Sequence, residues 1–226
     1  MTTLRSPLLS MLLTLATLAG CVETRFESPL GDNIETCDAR WKGLWLPTDA
    51  ERAKNGDDAT AFHINDDCEF TVIEQPEKGD PLKRLHVPIN YVHANGNDYI
   101  VVAESAVKGL VSLNPPHAID PAPDKDYFFA RYRVRGDRIE VFAVDSTKVA
   151  KLVVDGKVDG TVDKRANELH VFVRGNRARM LELVRHESIF EDTSSLQMQR
   201  SRLSLADFEK SLVPVHSPGT DLRKRP

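Results

Sequence analysis

The side chains able to do chemistry here are seven histidines (His63, His86, His93, His117, His170, His186 and His216), three cysteines (Cys21, Cys37 and Cys68) and short runs of charge. A metal needs ligands that converge, and His86 and His93, seven apart on or beside one extended segment, fall on opposite faces of a strand. His186-Glu187 begins a zinc-protease pattern, but Phe190 stands where the second histidine is required. Asp57-Asp58 and Asp66-Asp67 offer oxygen ligands for calcium, yet the spacing, glycine and closing glutamate of an EF-hand are absent, and both pairs read as solvated turns. With no Gly-x-Ser-x-Gly elbow and no Walker loop, no catalytic residue, metal ligand or cofactor is assigned. One stripe remains: Arg131, Arg133 and Arg135 alternate along one strand face and could hold an anion, unless Asp or Glu on a paired strand neutralises them.

Cys21 closes a distinctive opening, MTTLRSPLLSMLLTLATLAGC, in which Arg5 precedes an apolar run of about eleven residues at 8–18 and then small residues. That run is too short to span a bilayer, which takes about twenty apolar residues. Leu18-Ala19-Gly20-Cys21 resembles the lipobox of bacterial lipoproteins at every position. The resemblance implies that Cys21 receives a diacylglycerol, that the leader is cut before it, and that the freed amine is acylated. Two or three acyl chains, at about 0.8 kcal/mol per buried methylene, anchor a protein stably where one chain does not. Val22 in place of an Asp implies, in an enteric-type host, export to the outer membrane, with the body facing the periplasm or the cell surface.

Export leaves Cys37 and Cys68 as an even remainder in a compartment where disulfides persist, so one bridge is expected between them. Two buried thiols or a metal pair are the competing readings. The formal net charge of −4 excludes a strongly basic nucleic-acid binder. The apolar fraction, 41%, is modest, but aliphatic residues in periodic runs exclude wholesale disorder.

These signals predict a signal peptide at 1–20, a lipidated tether at 21–36 able to reach about 50 Å if extended, one β-rich domain at 37–212 and a disordered basic tail at 213–226. Candidate strands cover 41–46, 59–64, 69–74, 82–92 with Pro88 at an edge or bulge, 99–103, 127–134 and 138–144. Asn95-Gly96 and Gly136-Asp137 mark tight hairpins. Residues 114–123 hold four prolines and read as a loop. Residues 145–156 read as a short helix with Asp145 or Ser146 as cap, or else as a hairpin about Asp155-Gly156. A final hairpin is expected at Gly175-Asn176, and a helix opening at Ser204 and running through Leu212. The fold class is mainly β, an antiparallel barrel or sandwich of about eight strands with one or two peripheral helices.

Gly43-Leu44-Trp45 resembles the Gly-x-Trp motif on the first strand of lipocalins, some of which are outer-membrane lipoproteins, and Lys125-Asp126-Tyr127 is similar to that family's Thr-Asp-Tyr loop. The resemblance implies an eight-stranded barrel whose closed end is plugged by Trp45, with a late basic residue over its ring; spacing alone does not say which. The Pro-rich segment and the inserted helix depart from that pattern, leaving an unrelated β-rich lipoprotein domain as the other reading. Trp41 and Trp45, four apart, also read simply as core aromatics. The expected function is a non-enzymatic binding or assembly module anchored to the membrane by lipid, with an envelope protein or a small apolar ligand at Trp45 as partner. A carrier of apolar molecules and a hydrolase lacking a recognisable motif are the alternatives.

Overall fold

The computed structural model describes residues 22–49, 51, 59–75, 80–107, 126–165 and 168–212. Cys21 with the leader, the Pro-rich segment at 114–123 and the tail at 213–226 lie outside the described residues. Twelve strands join one sheet: β1 Val22–Phe26, β2 Gly43–Pro47, β3 Ala59–Ile64, β4 Phe70–Gln75, β5 Lys83–His86, β6 Asn90–Ala94, β7 Asn97–Ala103, β8 Tyr127–Arg135, β9 Arg138–Ala143, β10 Gly160–Arg165, β11 Glu168–Val173 and β12 Leu196–Arg200. Four helices accompany them: α1 Glu104–Val107, α2 Ser146–Val154, α3 Arg177–His186 and α4 Leu205–Leu212.

Pairing order explains the shape. Antiparallel neighbours run from β5 through β4, β3, β2, β12, β9, β8 and β7 to β6. The two ends, β5 and β6, do not pair with each other, yet only Val87-Pro88-Ile89 separates them in the chain. The sheet therefore curls into an open barrel whose seam is crossed by covalent chain instead of by a ladder. Proline has no N–H to donate, and a strand interrupted by it pairs first with one neighbour and then with another. Two links draw the lips of the seam together: Glu35 exchanges backbone hydrogen bonds with Tyr91 at 2.8 and 2.7 Å, and Cys37 is disulfide-bonded to Cys68 in the β3–β4 turn, with Cα atoms 5.3 Å apart.

Alternation on these strands separates two cores. Phe62, Ile64, Val72, Tyr91, Ile100, Val102, Ala130, Tyr132, Ile139, Val141 and Met198 face inward around Trp41 and Trp45. Their neighbours Val92, Tyr99, Val101, Phe129 and Phe142 face outward, where Phe26, Leu30, Val149, Val171, Met180 and Ile189 cover them. The inserted layer of α2, β10, β11 and α3, with β1, thus packs on the outside of the wall. On the far side α4 lays Phe208 over Leu44, Ala61 and Ile73.

Several expectations need correcting. Residues 22–26 are not tether but strand β1, parallel to β11 from Val22↔Leu169 to Phe26↔Val173, and Phe26 and Leu30 are completely buried. Short polar stretches hide such a strand because its apolar positions are filled only by a distant partner. Residues 177–186 are a helix and not the second arm of a hairpin: Asn176 caps it, its side chain accepting from Arg179 N at 3.0 Å, and Met180, Leu183 and Val184 bury at helical spacing. The helix at 146–154 forms with Asp145 as its cap, and Ser204 caps α4 by accepting from Asp207 N at 3.1 Å. The strand count exceeds eight because one expected strand breaks at Pro88 and because β1, β10 and β12 join those expected, β12 standing in the wall between β9 and β2. The Cys37–Cys68 bridge is borne out.

Because Phe26 stacks on Phe129 with ring centroids 4.0 Å apart, Phe26→Ala should destabilise the domain by about 3–5 kcal/mol in urea unfolding. A loss below ~1 kcal/mol would mean that β1 is an accessory. Cys37→Ser with Cys68→Ser should cost on the order of 3 kcal/mol in the same assay through loop-closure entropy.

Candidate functional site

The most elaborate chemistry gathers at one end of the barrel, around the Gly-x-Trp sequence. A 3-10 turn, Ala39–Trp41, leads into β2, and the Asp38 side chain caps it by accepting from Arg40 N at 2.9 Å. Trp45 is fully buried and donates from Nε1 to Trp41 O at 2.6 Å. Arg200, which pairs with Trp45 across β12 and β2, lays its guanidinium 4.2 Å from the indole centroid. The same guanidinium donates to Arg40 O at 2.9 Å and to Lys42 O, so it binds the turn while stacking on the ring. Gly43 is required there: its φ is +115°, and a Cβ would stand 2.8 Å from Arg200 Nη1. Spacing in the sequence did not identify Arg200 as the partner of Trp45.

A polar layer seals this plug. Buried Asp38 accepts from Tyr132 Oη at 2.6 Å and pairs with Arg40 at 2.7 Å. Arg40 reaches on to Asp98 at 2.9 Å, and Asp98 meets His93 Nδ1 at 2.7 Å. Burial works to raise the Asp38 pKa, but hydrogen bonds from Arg40 and Tyr132 outweigh it and hold the carboxyl below its usual range. Burial and the neighbouring Asp38 carboxylate push the Tyr132 phenol up, so it stays a donor. Within this end the Tyr91 hydroxyl and Trp41 Nε1 are buried without a hydrogen-bond partner among the described residues.

Beside the plug, the seam widens into a groove of about 610 Å³ lined by Thr36, Asp67, Cys68, Glu69, Phe70, His86, Val87, Pro88, Ile89, Asn90 and Ala106. It mixes apolar and polar walls, and Phe70 and Val87 belong both to it and to the interior core. Trp45 does not line it. His86 Nδ1 lies 3.0 Å from Thr71 Oγ1, but no carboxylate orients the other ring nitrogen among the described residues, so a hydrolytic triad is not assembled there.

A second polar cluster lies where β1 meets the barrel. Arg25, with a side chain 5% exposed, donates to Glu104 at 2.7 Å, to Asp126 at 3.0 Å and to Glu23 at 3.1 Å. His170 Nδ1 meets Glu23 at 3.1 Å. Asp126 has a fully buried side chain whose Oδ1 finds no donor. Burial first, and then a hydrogen bond with the Glu104 carboxyl, pushes its pKa up to about 7, against the pull of Arg25. A proton kept on Asp126 into that range relieves the excess of carboxylates around Arg25.

The remaining candidates scatter. His93 and His170 serve carboxylates in different clusters, and His117 and His216 lie outside the described residues. No group of three metal-ligating side chains occurs among the described residues. Asp66 and Asp67 sit in the β3–β4 turn, where the Asp66 carbonyl accepts from Lys42 Nζ at 2.7 Å. What the sequence hid was Arg200, Asp38 and Arg25, whose partners are remote in the chain. The chain matches no family model, no curated protein and no solved structure, so its function has to be argued from these sites.

Arg200→Gln, which uncovers Trp45 and leaves the turn carbonyls short of a donor, should cost about 2–3 kcal/mol and shift tryptophan fluorescence to longer wavelength. The Asp126 proton sets a pH dependence. Its pKa is raised on folding, so its contribution is complete below the unfolded value of 3.8 and is lost as pH rises through about 7. The melting temperature should accordingly fall between about pH 4 and 7 relative to Asp126→Asn, in which that slope flattens; parallel profiles would refute the raised Asp126 carboxyl.

Proposed function

We propose that this chain is a lipid-anchored lipoprotein of the bacterial envelope, held at Cys21 on the periplasmic face of the outer membrane, whose barrel serves as a non-enzymatic binding or assembly module. The observation that carries this is the conjunction of a leader ending in Leu18-Ala19-Gly20-Cys21 with a disulfide between the two remaining cysteines. Such a bridge persists in an oxidising compartment, which is where the leader directs the chain. Strand β1 begins at Val22, the residue after the acylated cysteine, so the body is held close to the bilayer without a flexible spacer.

A second reading, a lipocalin-like carrier of small apolar molecules, draws on Arg200 stacked over Trp45 and on the open barrel. In that reading Trp45 acts as the plug and ligand enters through the seam groove; Trp41, Tyr91 and Tyr132, each at most 1% exposed, already fill the plugged end.

Cys21→Ala should convert a detergent-extractable envelope protein into an unprocessed precursor or a soluble periplasmic one in cell fractionation. Unchanged fractionation of the variant would overturn lipid anchoring. Native mass spectrometry with lipid extraction of protein purified from its own host separates the two readings: a copurifying apolar molecule supports the carrier, and an empty barrel supports partner binding.

A further inference from the structure

The stripe Arg131, Arg133 and Arg135 lies on the outer face of β8, and the carboxylates expected to neutralise it do not. Arg133 stands opposite Glu140 on β9, yet the side chains of Arg131 and Arg133 make no salt bridge or hydrogen bond with any described residue. Instead both guanidiniums stack on one ring: Arg131 lies 4.8 Å and Arg133 4.9 Å from the Phe142 centroid, with Arg131 also 5.6 Å from that of Phe190. Arg131 Nε is buried with no acceptor. Burial, and then the charge of Arg133, pulls the Arg131 pKa down, while Tyr99 and Asp192 act weakly the other way. Further along the ladder Arg135 faces Arg138 directly, a cross-strand pair of like charges that is unfavourable alone. Asp137, at the nearby turn, is engaged by Arg200 at 3.5 Å, and Asp192 by Lys148 at 3.4 Å.

Two cations that share one aromatic ring, one of them with a buried Nε that has no acceptor among the described residues, are arranged for a ligand that supplies several acceptor oxygens. We infer that Arg131 and Arg133, on Phe142, form a binding site for a phosphate oxyanion, with Arg135 and Arg138 extending it toward a second phosphate. Each guanidinium presents a planar fork of donors, and two forks offer more than the two oxygens of a carboxylate can take, whereas a tetrahedral phosphate answers both. The stack on Phe142 fixes the forks in advance, which lowers the entropy lost on binding. The site stands on the barrel wall and does not depend on how the chain is anchored. The phosphate is either that of a soluble phosphorylated molecule or that of a lipid headgroup.

The test uses the full chain in neutral detergent and phosphate-free buffer. Titration calorimetry with pyrophosphate is expected to show saturable binding at one site, weakened at least tenfold in Arg133→Gln and abolished in Arg131→Gln/Arg133→Gln. Arg84→Gln, whose native partner is Glu209 on the opposite side of the barrel, should bind as the parent does. Because Arg133 is exposed, its single variant should keep the parent's circular dichroism and so separate loss of binding from loss of fold. In a parallel arm, micelles doped with phosphatidylglycerol are compared with micelles doped with phosphatidylcholine through the melting temperature. Stabilisation by phosphatidylglycerol alone, lost in Arg133→Gln, assigns the site to a lipid headgroup; pyrophosphate binding assigns it to a soluble anion. Absence of both effects, or parent-like binding by Arg133→Gln, would reduce the pair to a packing feature and overturn the inference.

Discussion

The barrel end depends on one guanidinium laid across one indole. Arg200 covers Trp45 and at the same moment takes up the carbonyls of Arg40 and Lys42, so the last strand, the first barrel strand and the turn before it are fastened by a single side chain. Gly43 meets the turn with a φ of +115°, which an L side chain rarely adopts, and a Cβ there would also crowd Arg200 Nη1 at 2.8 Å. The placement of Arg200 also brings Asp38 under Tyr132 and Arg40, where a buried carboxylate is stable only because its hydrogen bonds outweigh the cost of leaving water. With the plug in place, inward residues from every barrel strand have something to pack against.

The seam follows from a different constraint. Pro88 breaks the strand that would have closed the sheet, and the protein closes the gap covalently, through the chain itself and through Cys37–Cys68. The disulfide therefore lies at the one place on the wall where a hydrogen-bond ladder is missing, and a groove opens next to it. The outer layer answers a further problem. Part of the outer face of β6 to β9 is apolar as well, and without β1, β11, α2 and α3 the outward Tyr99, Val101, Phe129 and Phe142 would face water. Covering them binds strand β1 firmly to the body, where a tether was expected.

Charge is distributed in three ways around this frame. At the plug, cations and carboxylates are matched and hydrogen-bonded. Around Arg25, carboxylates outnumber the single guanidinium, and burial favours the protonated form of Asp126. Along β8 the cations are in excess, and among the described residues the guanidiniums of Arg131 and Arg133 meet aromatic rings in place of carboxylates. The last two clusters are unbalanced in opposite senses, so the first responds to pH and the second is suited to an anion.

Much of the architecture was legible from local signals, because alternation, turn residues and caps act over a few positions. Phe128, Ala130, Tyr132 and Val134 on one face of β8, the hairpin at Gly136-Asp137, the Asp145 cap and the Ser204 cap all follow from neighbours in the chain. Strand β1 was not legible, since Val22 to Phe26 owes its form to β11 almost 150 residues away, and α3 was misread because Gly175-Asn176 serves as well for a helix start as for a turn. Gly43 and Trp45 were recognisable as a motif, but Arg200 became their partner only through the β12–β2 register. Local pattern in the chain was enough for the even pair of cysteines, the β-rich class and the alternation of arginines on β8. Tertiary structure alone decided which charges meet, because ion pairing and burial depend on distances across the fold that no local spacing encodes.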